Sequence, residues 1–289
     1  TPRELPVIVN GGFLSREVRI IVDRLTCRSI ALSSKGETIV IAVVDNCMIP
    51  TGLCDEAKRL AAAKIGIPPE KILICATHTH SAPSVMDLCL GTDLDQKYTA
   101  FLPSRIAQSI VQAHAAMRPA RAGWTVFDGS KYTKPRRWVL WPGNGVDPFG
   151  NKSIRANMHP GYQNPAGTGE SGPTDPWFTL FSVVSLDGSP LALLGNFAMH
   201  YFSGHAGISA DYFGKYCREL TERSGSRENE YVVALSQGTS GDVWRADYRK
   251  SRGQSEISMK DYVAGLADLT EQALATIEYH DDLPLKMEE

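Results

Sequence analysis

The chain contains no apolar run approaching the roughly 20 residues that a membrane-spanning helix requires, so no transmembrane segment is expected. It also lacks a strong field of either sign. Its 30 Lys and Arg against 32 Asp and Glu give a formal charge of −2, which removes the electrostatic basis for nucleic-acid binding or a polybasic membrane anchor. Lys134-Pro-Arg-Arg137 and Arg249-Lys-Ser-Arg252 are short basic spots that read as loops or substrate contacts. Cys27, Cys47, Cys54, Cys75, Cys89 and Cys217 form no Cys-x-x-Cys pair and no zinc-ribbon spacing, so reduced structural thiols are expected. A Cys47–Cys54 disulfide stays open at this level. There is no Gly-Lys-Ser/Thr phosphate loop. The Gly-x-Ser-x-Gly elbow is missing as well, since Gly241 directly follows Ser240. No internal repeat, low-complexity tract or linker divides the chain, so residues 1–289 are expected to be a single domain with a sizeable core. The chain opens Thr1-Pro-Arg without Met, the start expected of a mature or trimmed product.

The hydrophobic pattern is that of an α/β protein. Short strands are expected over Val18–Ile21 and Ser29–Leu32, and a strong one over Thr38–Val44, rich in β-branched residues. Cys54, Ala57, Ala61 and Ile65 form a helical stripe, stopped by Ile67-Pro-Pro-Glu70, and a strand over Ile72–Ala76 follows. This strand–helix–strand unit favours parallel pairing. Tyr98–Met117 reads as a second helix with Pro103 in its first turn or at a kink. Ala120–Phe127 reads as a strand. The stretch from Asp128 to Asp175 is long and irregular; its Trp138, Trp141, Phe149 and Tyr162 either line a pocket or staple the loop to the body. Asp187-Gly188 between Phe178–Leu186 and Pro190–Met199 signals a hairpin. A helix over Ala210–Ser224, a strand over Tyr231–Leu235 and a helix over Ser258–Glu278 complete the pattern.

The chemistry gathers at strand ends. Ile72–Ala76 runs out into Thr77-His-Thr-His-Ser-Ala-Pro83, and Leu191-Ala-Leu-Leu-Gly-Asn-Phe-Ala-Met ends at His200. Asp45 ends a third strand, and Ser236-Gln-Gly-Thr-Ser-Gly-Asp242 follows a fourth. If these strands are neighbours in one sheet, their carboxyl ends converge on one crevice, where α/β folds bind ligands. On an extended segment His78 and His80 face the same side, and imidazoles so placed either share a metal or divide into one ligand and one proton or oxyanion group. Zinc suits imidazole and carboxylate ligands; Asp45, His205, Asp211 and Asp242 are local candidates for further ligands or for partners that fix the imidazole tautomers. The small residues Gly238–Gly241 could offer backbone N–H groups to an oxyanion or a phosphate.

Four stretches, in order, resemble the catalytic domain of neutral (alkaline, non-lysosomal) ceramidases and their bacterial relatives. They are Asp23-Arg-Leu-Thr-Cys-Arg-Ser-Ile-Ala-Leu32 with Val43-Val-Asp-Asn-Cys-Met-Ile49; Thr77-His-Thr-His-Ser-Ala-Pro83; Asn196-Phe-Ala-Met-His200 with Ile208-Ser-Ala-Asp211; and Ser236-Gln-Gly-Thr-Ser-Gly-Asp-Val243. The resemblance implies mixed β-sheets flanked by α-helices and a zinc-dependent hydrolase of a carbon–nitrogen bond, with zinc-bound water attacking an N-acyl, lipid-like substrate. It implies His78 and His200 as metal ligands and His80 facing the substrate carbonyl. Arg136 or Arg137 falls near a substrate-contacting arginine. Asp242 joins His80, Arg136 and Arg137 as an expected catalytic residue, Gln237, Gly238, Ser240, Gly241 and Trp244 belong to the substrate and oxyanion side, and Asp45 and Asp211 to supporting positions. Two departures stand out. Where the family continues Gly-Asp-Val with Ser-Pro-Asn, this chain has Trp244-Arg-Ala, so Trp244 reshapes the pocket and a substrate other than ceramide is expected. The family's later Glu and Tyr ligands have no counterpart before Glu289, so a further C-terminal segment completing the metal site is expected. The resemblance also implies an extracytoplasmic protein. A metal-dependent phosphoesterase and a non-catalytic ceramidase-like binding domain are the rival readings.

Overall fold

The computed structural model describes residues 1–87 and 92–288; Cys89 lies outside the described residues. A short antiparallel pair, β1 (Val7–Val9) and β2 (Arg16–Val18), precedes the main body. β3 (Cys27–Ser34) and β4 (Glu37–Val44) pair antiparallel, and helix α1 (Thr51–Ile65) carries the chain over to β5 (Ile72–Ala76), which lies parallel to β4. This is the expected strand–helix–strand unit. Gly66, at φ 74°, ends α1 by donating its N–H to the Ala62 carbonyl; a residue without Cβ takes that left-handed cap at no steric cost. Helix α2 (Gln96–Ala115) starts where the Asp95 carboxylate accepts the Tyr98 N–H at 2.9 Å. Because that cap sets the start at Gln96, Pro103 falls inside the helix rather than in its first turn.

β6 (Ala120–Asp128) then leads into the segment expected to be irregular, which instead holds four short strands: β7 (Lys134–Pro135), β8 (Arg137–Leu140), β9 (Ala156–Met158) and β10 (Gly167–Glu170). β8 is the centre of a small antiparallel sheet, with β10 and β9 on its two sides. Trp141 and Phe149 do not pack into the body, being 58% and 90% exposed. The expected hairpin forms from β11 (Trp177–Ser185) and β12 (Pro190–Phe197), with Gly188 at φ 87° in the turn. Helix α3 (Asp211–Arg223) carries the chain to β13 (Val232–Gln237), parallel to β12. β14 (Val243–Trp244) pairs with β7, and helices α4 (Arg252–Ser255) and α5 (Met259–Leu274) follow.

The four strands that end in polar residues belong to two sheets, β3-β4-β5 and β13-β12-β11-β6, not to one. Strand periodicity explains how both can be buried. On β4, Val40, Ala42 and Val44 face α1 and α2, packing with Ala57, Ala61, Leu102, Ile106 and Ile110. The alternate residue Val43 faces the other sheet, meeting Ile30, Val183, Ala192 and Ala234. On the second sheet Leu180, Leu193, Val233 and Leu235 point outward against Tyr212, Phe213, Tyr216, Tyr262 and Leu266 of α3 and α5. The layers therefore run helix, sheet, sheet, helix, which is a mixed-sheet α/β architecture with flanking helices, as expected. Among the described residues no helix is long and apolar enough to cross a membrane, and no disulfide joins Cys27, Cys47, Cys54, Cys75 and Cys217.

Candidate metal centre

Each sheet contributes one parallel pair whose carboxyl ends lie side by side. Beyond β4 and β5 the pairing continues into the loops: Thr77 N–H donates to Val44 O at 3.0 Å, and His78 N–H to Asn46 O at 2.8 Å. This lays Cys47 against the His78 ring. Beyond β12 and β13, Gly238 N–H donates to Phe197 O at 3.0 Å. A Cβ on Gly238 would stand 2.9 Å from the Ala198 nitrogen, so the close approach of the two loops needs glycine there. The loops are cross-tied: the Thr79 hydroxyl donates to Ser209 O at 2.7 Å and the Thr133 hydroxyl to Ala198 O at 2.7 Å.

Three imidazoles meet at this junction. The ring centroids of His78 and His80 are 4.7 Å apart, those of His78 and His200 4.8 Å, and those of His80 and His200 5.2 Å. His78 is not extended, as the His-x-His spacing suggested, but left-handed at φ 69°. That conformation costs a non-glycine residue about 1–3 kcal/mol. It turns the two rings toward each other, bringing His78 Nε2 to 3.1 Å from His80 Nε2.

Hydrogen bonds assign the tautomers of His78 and His200. His78 Nδ1 donates to Cys47 O at 2.9 Å and His200 Nδ1 to Ser240 O at 3.2 Å. A carbonyl only accepts, so in the neutral His78 and His200 rings the Nε2 is left as a bare lone pair. All three rings are held neutral. Burial keeps His78 below the ordinary histidine range. Burial, then His78, His200 and Arg136, push His80 down to about 2. Burial, then Arg136 and His78, push His200 down to about 3. Against the bare His78 Nε2, the His80 Nε2 at 3.1 Å either donates its proton or shares a cation with it. Imidazoles bound to one zinc at about 2.0–2.1 Å in tetrahedral geometry place their nitrogens about 3.4 Å apart, close to the spacing found. One donor atom each from Cys47, His78 and His80 lies within 4.8 Å of the others. The donor chemistry of the site thus fits zinc.

The remaining expected residues are distributed unevenly. Asp45 is buried and binds Arg28 at 2.8 Å and the Thr26 N–H at 2.8 Å. Asp211, at the start of α3, accepts the Phe202 and Ser203 N–H groups at 3.0 and 3.2 Å and shapes the loop after His200. Neither carboxylate holds an imidazole tautomer; backbone carbonyls do that. His205 stands 3.9 Å from Asp211 and outside the three-ring cluster. The Gln237 amide donates to the Ser240 hydroxyl. The Gly238 amide is consumed by Phe197, so it is not available to an oxyanion, and the Gly241 carbonyl is taken by Arg136. The Asp242 carbonyl accepts the Arg136 N–H at 2.8 Å, and its carboxylate makes no hydrogen bond among the described residues. Arg136 is buried and turned toward the cluster, whereas Arg137 is exposed. Trp244 lies 6.1 Å from the His200 ring.

Several neighbours carried no sequence signal beyond adjacency. Tyr201 stacks on His80 at 3.7 Å with an interplanar angle of 16°. His159, from the small β8 sheet region, reaches Arg136 at 3.4 Å and contacts the Tyr248 hydroxyl. Gly11, at φ 105°, packs directly on His80. A cavity of about 800 Å³ also exists, but at the opposite end of the strands, lined by Ile30–Ser34, Leu191, Val232, His280 and Leu283 among others.

No family model and no curated protein match the chain. Several solved chains share its fold. One is the neutral ceramidase from Pseudomonas aeruginosa, at TM-score 0.65 and 18% identity, covering 94% of this chain and 42% of that one. Another is a ceramidase complexed with C2, at TM-score 0.63 and 18% identity, covering 94% of this chain and 41% of that one. The chain spans less than half the length of either.

Proposed function

We propose that this ceramidase-like fold carries the metal-binding half of a zinc-dependent hydrolase that cleaves the amide bond of an N-acyl, lipid-like substrate, outside the cytoplasm. The observation that carries the reading is the approach of the His78 and His80 Nε2 atoms to 3.1 Å, with the His200 ring against both. Residues 1–289 act in it as one folding unit.

His78 and His200 are the primary ligands, each pre-set by a carbonyl on its Nδ1 that orients the ring and keeps the Nε2 lone pair exposed. Sequence resemblance reserved His80 for the substrate; its approach to His78 supports a ligand role as well. Bound zinc supplies Lewis acidity and an activated water at neutral pH. The rest is the work of side chains. Tyr201, stacked on His80, fixes that ring's plane, and burial holds its phenol protonated above the usual range, so it can donate to a developing oxyanion. Trp244 stands 5.0 Å from Tyr201 and replaces the family's serine with an apolar wall. The chain therefore offers no hydroxyl nucleophile at that point, which favours direct attack by water.

The test measures metal first. Zinc content and cobalt absorption of the purified protein are compared with those of His78→Ala and His200→Ala. Stoichiometric metal lost in both variants is expected; metal-free wild type, or unchanged content in the variants, refutes the site. A panel of N-acyl amides and phosphoesters then decides the reaction class, and turnover of phosphoesters alone would overturn the amide reading.

A further inference from the structure

Arg136 is a buried cation without a counter-ion. It is 8% exposed, like Arg28. Arg28 is neutralised by Asp45 at 2.8 Å, whereas among the described residues Arg136 makes no ion pair. Its Nε and Nη2 both donate to the Gly241 carbonyl, at 3.1 and 2.8 Å. That occupies one edge of the guanidinium and leaves the Nη1–Nη2 fork with only a long contact to His159 Nε2 at 3.4 Å. The Asp242 carboxylate lies beyond ion-pair distance of the guanidinium.

A second guanidinium, only half-buried, stands near the same site. Arg245 donates to the Phe202 carbonyl, lies 4.4 Å over the Phe202 ring and 4.7 Å over Trp244, and makes no ion pair among the described residues. Arg136 stands 6.0 Å from the same Trp244 ring, and Trp244 contacts His200 and Tyr201. Two uncompensated cations thus flank the aromatic wall of the histidine cluster. Burying a charge unpaired is costly, and the free edge of Arg136 presents two parallel N–H groups, the geometry that binds a carboxylate bidentately.

We propose that Arg136 and Arg245 form a receptor for a carboxylate on the substrate, so that the amide accepted is an N-acyl amino acid rather than the amide of a neutral amino alcohol. This rests on the amide-hydrolase reading, and Trp244 separates the anion from the reacting carbonyl.

The test uses two amides of one acyl chain, N-dodecanoylglycine and N-(2-hydroxyethyl)dodecanamide, which differ by carboxylate against hydroxymethyl. Binding to the zinc-loaded protein is measured by calorimetry and turnover is measured separately. A preference of about 10- to 100-fold for the carboxylate is expected from charge-assisted hydrogen bonds. Arg136→Gln should abolish it and Arg136→Lys should retain part. Arg245→Gln, at a more exposed position, should reduce it even if the Arg136 variants unfold. Equal binding of the two amides, or a preference unchanged by both substitutions, overturns the receptor. Hydrolysis of both amides with equal binding leaves the amidase standing while removing the receptor. Selective, arginine-dependent binding without hydrolysis of either amide does the reverse.

Discussion

Replacing Gly11 with alanine tests the packing that positions His80. Gly11 sits at φ 105°, and a Cβ there would lie 2.4 Å from His80 Cγ, 2.6 Å from its Cβ and 2.7 Å from its Nδ1. Two costs add. The backbone conformation penalises an L side chain by about 1–2 kcal/mol. The overlap is more than 1 Å inside normal carbon contact and falls on the root of the ring, which cannot swing away without moving its backbone; overpacking of this kind costs about 1–3 kcal/mol. Gly36→Ala isolates the first cost, because Gly36 has φ 84° with nothing within 4 Å of the added Cβ. Urea unfolding followed by far-UV dichroism should therefore show Gly11→Ala destabilised by about 2–5 kcal/mol and Gly36→Ala by about 1–2 kcal/mol. Zinc calorimetry on the same proteins should show weakened affinity in Gly11→Ala alone, since displacing His80 breaks its pairing with His78. Equal stability losses in the two variants would refute the packing; unchanged zinc affinity in a destabilised Gly11→Ala would refute the ligand role of His80.

Two further outcomes follow from the buried charges. Arg28→Ala leaves the Asp45 carboxylate, 0% exposed, without its cation, so a loss of about 3–5 kcal/mol is expected in urea titration; combining Arg28→Met with Asp45→Asn should recover part of it, and a loss below 1 kcal/mol in the single variant contradicts the pair. The metal-free protein should be least stable in acid. His80 and His200 bind protons in the fold only near about 2 and about 3, whereas in the unfolded chain they do so near about 6.5. Between those limits the unfolded state holds more protons, so stability is fully present above about 6.5 and falls as pH drops. Urea midpoints with chelator from pH 7.5 to 5 should decline, and the slope should flatten in a His80→Asn, His200→Asn double variant; midpoints that rise on acidification count against neutral histidines.

Much of the fold was legible because period-2 and helical stripes report burial directly. β4, α1, β5 and the β11–β12 hairpin lie close to where alternation, Pro and Asp-Gly signals put them. What the local pattern left open or missed has one cause, which is that tertiary partners are invisible in it. Pro103 lies inside α2 because Asp95, whose other oxygen accepts the Ile8 N–H at 3.1 Å, caps the helix early. The segment from Asp128 to Asp175 has strands because β7 pairs with β14 and β8 with β9 and β10.

The histidines themselves were readable, since a buried strand that ends in His-x-His or in His puts imidazole where strand ends meet. Their motif context also carried the resemblance. What the linear order did not contain was their geometry. Alternation along an extended chain would have set His78 and His80 side by side, but the left-handed turn at His78 makes them face each other. Nor could spacing distinguish Arg136 from Arg137, or reveal that carbonyls of Cys47 and Ser240, rather than Asp45 and Asp211, hold the rings. Residue type and local periodicity determine which groups reach a strand end and which are buried. Which of those groups then touch, and which charge is left without a partner, depends on how two sheets stack, and that is decided by contacts between residues far apart in the chain.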